Sequence, residues 1–82
     1  MRIISPERLL QLKTKYTPGT RVELLRMNDP YTRLSPGETG TVTGVDDIGT
    51  IHVSWDCGSS LGVAYGEDLC EIVKDWYEEE RQ

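Results

Sequence analysis

Hydrophobic and polar residues alternate in the middle of the chain, in short stretches that are separated by turn-forming residues. Residues 41–45 and 50–55 form two such stretches, and a third begins at Ser60. The intervening turns, 46–49 and 56–59, each contain a glycine. Alternation with a period of two and connections of about four residues are typical of a β-meander in a small barrel. The alternation predicts four inward-facing side chains: Val42, Ile51, Val53 and Trp55.

A short helix is predicted before the meander. Ser5 is a good N-cap and Pro6 suits the first helical position. The helix should end by Thr17, because the residue before Pro18 is pushed out of helical space. We expect it to lie over an open end of the barrel or against a second subunit. Its predicted apolar face is formed by Leu9, Leu10 and Leu12.

Two further strands complete the predicted sheet. The first covers residues 20–27, where Leu25 falls on the outer face and either packs within the monomer or joins an interface. The last covers residues 69–73, after a short 3₁₀ turn at 66–68. The pattern therefore predicts an all-β, five-stranded barrel. Its domains are the N-terminal helix in 1–17, the barrel in 18–73, and an acidic tail in 74–82 that is either a short helix or a frayed end.

Charge is distributed unevenly along the chain. Residues 1–33 carry seven Lys/Arg and three acidic residues, a net charge of +4. Residues 34–82 carry two Lys/Arg and eleven acidic residues, a net charge of −9, and the two halves sum to the net charge of −5. This is either a solvated surface with a biased tail or a dipolar molecule. In the second case its basic end would meet an anion, or its acidic end a basic protein surface. Direct binding to nucleic acid is disfavoured, because phosphate contacts need dense Lys/Arg.

Composition argues against a disulfide framework, a metal site and a membrane anchor. The two cysteines, Cys57 and Cys70, form no CxxC pair, and one histidine does not complete a common zinc site with them. No apolar run approaches the ~18–20 residues of a membrane span, and no signal-peptide pattern is present. We therefore expect free thiols, no cofactor, and a cytoplasmic protein.

No constellation of residues points to catalysis. His52 lies in a predicted strand on the outer face, with no serine or cysteine motif placed to act as its nucleophile. The acid pairs at 46–47 and 67–68 lie in turns, where turn chemistry and solvation explain them, and a divalent-ion site is the minority interpretation. We expect a protein that is not an enzyme.

The loop at residues 28–38 is long for so small a domain, and long loops are often functional. Tyr31 offers an aromatic plane and a hydroxyl, unless it folds back on the core, and Arg33 offers a planar bidentate donor. The predicted binding residues are Arg26, Asp29, Tyr31, Arg33, Asp56 and Ser59.

Several motifs carry a resemblance to a known family. They are PGTRVEL at 18–24, MNDPY at 27–31, PGETGTV at 36–42, VDDIGTIHVSWD at 45–56 and GSSL at 58–61. Over about residues 16–73 the chain resembles small proteins known only as a domain of unknown function, common in phages, plasmids and their bacterial hosts. The resemblance implies an SH3-like barrel and a phage or mobile-element setting. It leaves the helix and the acidic tail outside the match.

Two functional hypotheses follow. The first is a protein-interaction module, an antagonist or adaptor of a host enzyme or defence complex, with mimicry of DNA as one version; it would use the 28–38 loop and the acidic face. The second is an oligomeric binder, or sponge, for an anionic nucleotide or metabolite. A weaker third is an accessory domain of transcription or translation, because Gly37-x-x-Gly40-x-Val42 is similar to KOW-type barrels. The predicted ligand contacts of the second are Arg21, Arg26, Tyr31, Arg33 and the turn at 58–60.

Overall fold

The computed structural model describes residues 3–28 and 32–73, which form a small, mostly-β domain with one short helix. The strands make one antiparallel sheet in the order β3-β2-β1-β4. Predicted features at Asp29, at Tyr31 and in the tail at 74–82 lie outside the described residues. The elements are α1 (Pro6–Lys15), β1 (Arg21–Arg26), β2 (Thr39–Val45), β3 (Ile51–Trp55) and β4 (Leu69–Ile72).

Helix α1 begins where the sequence predicted. The Ser5 hydroxyl accepts a hydrogen bond from the Arg8 N–H at 3.1 Å, and proline occupies the first turn. The predicted apolar face is corrected at one position: Leu12 is buried, but Leu10 is 66% exposed. Residues two apart lie about 200° apart around a helix, so these two leucines cannot share a face. Among the described residues, no helix is long and apolar enough to cross a membrane.

The core confirms the alternation that the sequence showed. The four predicted inward residues of β2 and β3 are buried, together with Val22 and Leu24 of β1. The largest of them, Trp55, is only 2% exposed. Its indole N–H donates to the Leu61 carbonyl at 2.8 Å, so the polar end of this buried ring is satisfied. The core members on β2 and β3 are Val42, Ile51, Val53 and Trp55.

The predicted third strand of the meander is reduced to one bridge. Val63 exchanges two main-chain hydrogen bonds with Ile51, at 2.8 and 2.9 Å, and its neighbours form no ladder. The reason is local, because the Leu61 carbonyl accepts from the Trp55 indole and the Leu61 N–H donates to the Ser59 hydroxyl. Side chains thus take the backbone groups that a strand would use. Within residues 3–28 and 32–73 the sheet has four strands, not the five predicted.

The residue that caps the C-terminal end of α1, Tyr16, is hydrogen-bonded to the edge strand β4. Tyr16 is buried, and its hydroxyl donates to the Cys70 carbonyl of β4 at 3.4 Å. A cavity of about 300 Å³ beside Leu12 and Tyr16 is lined by both Cys70 and Val63. Burial raises the pKa of the Cys70 thiol to about 11 and also raises the pKa of Tyr16. Leu12 of α1 and its cap residue Tyr16 therefore share this cavity with residues of β4 and with Val63.

Candidate functional site

Two of the predicted binding residues line one cavity. Arg33 and Ser59 lie in different loops, yet both face a cleft of about 540 Å³, which we call the loop cleft. Arg26 and Asp56 do not line it. The residues that line the loop cleft are Thr32, Arg33, Leu34, Glu38, Cys57 and Ser59.

The wall of the loop cleft that carries Arg33 is anchored to the sheet. Leu34 is buried in the core. The Gly37 N–H donates to the Leu24 carbonyl and the Leu24 N–H donates to the Glu38 carbonyl, both at 2.8 Å. These bonds extend the pairing of β1 beyond the start of β2. Residues 32–38 are therefore held at a defined distance from the turn at 56–59 on the opposite wall.

Two hydroxyl groups in the loop cleft have fixed orientations. The Thr32 hydroxyl oxygen accepts from the Leu34 N–H at 3.1 Å, and the Ser59 hydroxyl oxygen accepts from the Leu61 N–H at 3.3 Å. A hydroxyl that accepts a backbone bond keeps its own proton to donate. The cleft therefore presents hydroxyl donors from both walls beside the exposed guanidinium of Arg33.

Asp56 belongs to a polar network on the outer face of the sheet. Its carboxylate accepts two hydrogen bonds from the Arg21 guanidinium, one of them at 2.9 Å, and a third from the Thr39 hydroxyl at 2.8 Å. Arg21 also donates to the Thr41 hydroxyl at 2.8 Å. The hydrogen bonds from Arg21, with a further contribution from Thr39, lower the pKa of Asp56 to about 2. The network links β1, β2 and the end of β3.

Asp56→Asn should reduce the loss of stability between about pH 4 and pH 2. A carboxyl whose folded pKa lies below its unfolded value of ~3.9 stabilises the fold above that value, and this contribution disappears as the pH falls through the folded pKa. Urea unfolding at several pH values measures the effect. Arg21→Gln should also reduce the loss of stability between about pH 4 and pH 2, because it removes the main cause of the lowered pKa of Asp56. If Asp56→Asn loses as much stability between about pH 4 and pH 2 as the unmodified protein does, the lowered pKa of Asp56 is contradicted.

Arg26 lies at a different place, beside the turn before β4. Its Nε donates to the Glu67 carbonyl at 3.3 Å, and the Asn28 side chain donates to the same oxygen at 2.7 Å. The Asp68 carboxylate accepts from the Asn28 N–H and from the Ala64 N–H, each at 2.9 Å. These bonds order the turn. They leave Arg26 outside the loop cleft.

The turn between β2 and β3 is organised by Asp46. Its carboxylate accepts from the N–H groups of Ile48 and Thr50, at 3.2 and 2.9 Å, and contacts His52 Nε2 at 2.8 Å. Partial burial opposes ionisation of Asp46, but these hydrogen bonds outweigh it and lower its pKa. In the part of the chain that the structure describes, no cluster of three or more ligand side chains suits a metal ion. The hydrogen bonds from Ile48 and Thr50 give Asp46 a structural role in this turn.

A second surface was not predicted from the sequence. It is an apolar groove of about 360 Å³, here called the isoleucine groove. Ile3 is 91% exposed and Ile48 is 72% exposed on it, while Asp47 and Glu67 supply its acidic groups. The available signal was an isoleucine inside an otherwise polar turn, and a second one ahead of a helix cap. The residues that line the groove are Ile3, Ile4, Asp47, Ile48, Thr50, Ala64, Tyr65 and Glu67.

These features define a small helix-plus-sheet domain with a polar cleft and an apolar groove. The chain belongs to the family described as a domain of unknown function, DUF4314, whose match covers residues 5–73. That range includes α1, so the helix is part of the family domain, whereas the sequence analysis placed the start of the match near residue 16. No curated protein matches the chain.

Proposed function

We propose that this protein is a non-enzymatic binding module of a phage or mobile element, which docks on a host protein as an antagonist or adaptor. The observation that carries the proposal is the isoleucine groove. Its apolar side chains are exposed in a small domain, where contiguous apolar surface marks interaction sites. The phage or mobile-element setting is what the resemblance of the motifs in residues 16–73 implies.

The chemistry of the groove defines the partner. Ile3 and Ile48 flank it, with Ile4 and the ring of Tyr65 also in its wall, so it accepts an aliphatic or aromatic side chain. Both charged side chains among its lining residues are acidic. The partner segment therefore carries an apolar anchor next to Lys or Arg. The apolar contact supplies the affinity, and the charges contribute to specificity and to the association rate.

The acidic character of residues 34–82 supports the same partner. Their net charge of −9 attracts a basic protein surface over a range of about a Debye length. The Asp47 side chain is 93% exposed, and its ion pair with Lys13 Nζ, at 2.9 Å through Oδ1, leaves Oδ2 able to accept from a second cation. A basic side chain of the partner would therefore lie close to the Asp47 carboxylate at the edge of the groove.

Ile48→Lys should strongly weaken the binding of peptides that fit the groove. Peptides selected from a displayed random library should share an aliphatic or aromatic residue beside Lys or Arg. Burying one isoleucine is worth ~1.5–3 kcal/mol, so the variant should weaken binding by roughly 10- to 100-fold, measured by titration calorimetry. The matched control is Leu10→Lys, since Leu10 is also exposed but does not line the groove.

Two results would overturn this assignment. One is a selected set of peptides that lacks the basic residue, or that binds Ile48→Lys as tightly as the unmodified protein. The other is a concentration-dependent dimer in analytical ultracentrifugation that Ile48→Lys dissociates and Leu10→Lys does not. That second result would mean that another copy of this chain fills the groove.

The proposal includes the finer fold class, an SH3-like barrel. The antiparallel order β3-β2-β1-β4 and the pairing of Val63 with β3 support it, because Val63 then occupies the place of the fifth strand. The hydrogen-bonded turn from Ala64 to Asp68, which leads into β4, is also typical of that class. The second hypothesis, binding of an anionic ligand, concerns the loop cleft, which shares no lining residue with the groove.

A further inference from the structure

We propose that the loop cleft binds a small phosphate monoester that also carries N–H donors, as a nucleoside monophosphate does. Its volume of about 540 Å³ lies within the range of small-molecule sites. The site is separate from the isoleucine groove, because the two share no lining residue.

Arg33 is the group that meets the phosphate. A guanidinium presents a planar fork of donors that matches two phosphate oxygens at once. Arg33 is exposed on the wall of the cleft, one residue before the buried Leu34 that anchors this segment. Arg21 is ion-paired with Asp56, and neither Arg21 nor Arg26 lines the loop cleft. Of the three arginines that were predicted to contact an anion, Arg33 is therefore the one that lines the loop cleft.

The hydroxyls of Thr32 and Ser59 complete the donor set. Each oxygen accepts a backbone N–H, which orients the hydroxyl and leaves its proton to donate. A phosphate monoester has three terminal oxygens. Two of them suit the guanidinium, and the third suits a hydroxyl, so the cleft matches tetrahedral phosphate better than a planar carboxylate.

Glu38 determines the rest of the ligand. Its carboxylate lines the same cleft and accepts one hydrogen bond, from the Ser35 N–H at 2.9 Å. A carboxylate repels a simple anion, but it accepts further N–H groups. Among the described residues that line the cleft, Arg33 and Glu38 carry opposite charges. A ligand with phosphate at one end and amine or amide N–H groups at the other uses both, and GMP is a probe with this chemistry.

The cysteines supply the test. Cys57 is exposed and lines the cleft, whereas Cys70 is buried and serves as the internal reference in the same molecule. GMP should slow the alkylation of Cys57 by neutral iodoacetamide in a saturable way. The alkylation of Cys70 should not change, and mass spectrometry measures both. Arg33→Gln should raise the GMP concentration for half-protection about tenfold or more, because it removes a charge-assisted bidentate contact. Arg26→Gln is the matched control and should leave the protection unchanged.

Guanosine, which lacks the phosphate, should protect Cys57 at least tenfold less well than GMP. Ser59→Ala should also weaken protection while the thermal midpoint stays near that of the unmodified protein. The proposal fails if GMP does not protect Cys57, or if guanosine protects Cys57 as well as GMP does. It also fails if GMP protects Cys57 of Arg33→Gln as well as it protects Cys57 of the unmodified protein. Because Ile48 does not line the loop cleft, failure of the peptide experiment would leave this result unaffected.

Discussion

Replacing Gly40 with alanine should destabilise the domain by about 3 kcal/mol, at the upper end of the usual cost of overpacking, or prevent folding. A Cβ atom at Gly40 would lie 2.7 Å from Val53 Cγ1, 2.8 Å from the Ser54 carbonyl oxygen and 2.9 Å from the Trp55 Cα. Two of these atoms belong to the backbone of β3. They cannot move without separating β2 from β3 at the pair of Gly40 with Trp55.

Gly44 is the matched control for this experiment. It lies in the same strand, and a Cβ atom there would meet no heavy atom within 4 Å. Gly44→Ala should therefore change the free energy of unfolding by less than ~0.5 kcal/mol, as for most substitutions away from a packed feature. Urea unfolding of both variants measures the difference. Equal destabilisation of the two would mean that β2 and β3 do not approach each other as closely at Gly40.

Leu24→Ala should cost about 2–5 kcal/mol of stability, the usual range for a large-to-small change in a core. Leu24 has 0% exposure and is among the largest fully buried side chains of the protein. Since small domains have only ~5–15 kcal/mol in total, this variant should show a strongly lowered urea midpoint or an unfolded fraction without denaturant. Circular dichroism and intrinsic fluorescence should report the same transition.

Leu25→Ala is the matched control in the same strand, because Leu25 directly follows Leu24 and its side chain points to the opposite face of the sheet. Leu25 is 38% exposed, so its truncation should cost less than about 1 kcal/mol. A cost equal to that of Leu24→Ala would mean that Leu25 is covered in solution. The interface interpretation of Leu25 would then apply, and sedimentation would show a dimer that the variant dissociates.

The two proposed binding surfaces differ in how they were found. Arg33 and Ser59 were predicted as binding residues by their types and their loops. The isoleucine groove was not, because it joins Ile3, which precedes the helix, to Ile48, in a turn 45 positions later in the chain. An exposed isoleucine carries no signal of this kind until its neighbours in space are known. Both surfaces can be disrupted separately, so their functions can be tested separately.

The sequence by itself determined the elements whose cause is local. Alternation with a period of two placed Val42, Val53 and Trp55 in the core, and the Ser5-Pro6 cap located the start of α1. These features depend on neighbours a few residues away, so periodicity and capping preferences are sufficient to find them. The predicted three-leucine face was wrong at Leu10, because Leu10 and Leu12 lie about 200° apart around the helix.

The tertiary structure decided whatever depends on residues that are distant in sequence. The loss of the predicted strand that begins at Ser60 is an exception with a local cause, because the Trp55 indole and the Leu61 carbonyl that it binds are only six positions apart. The tertiary structure joined Arg21 to Asp56 across 35 positions, an ion pair that residue types alone did not predict. It also brought Arg33 and Ser59 to one cleft. Such pairings follow from strand order and register, which residue types alone leave open.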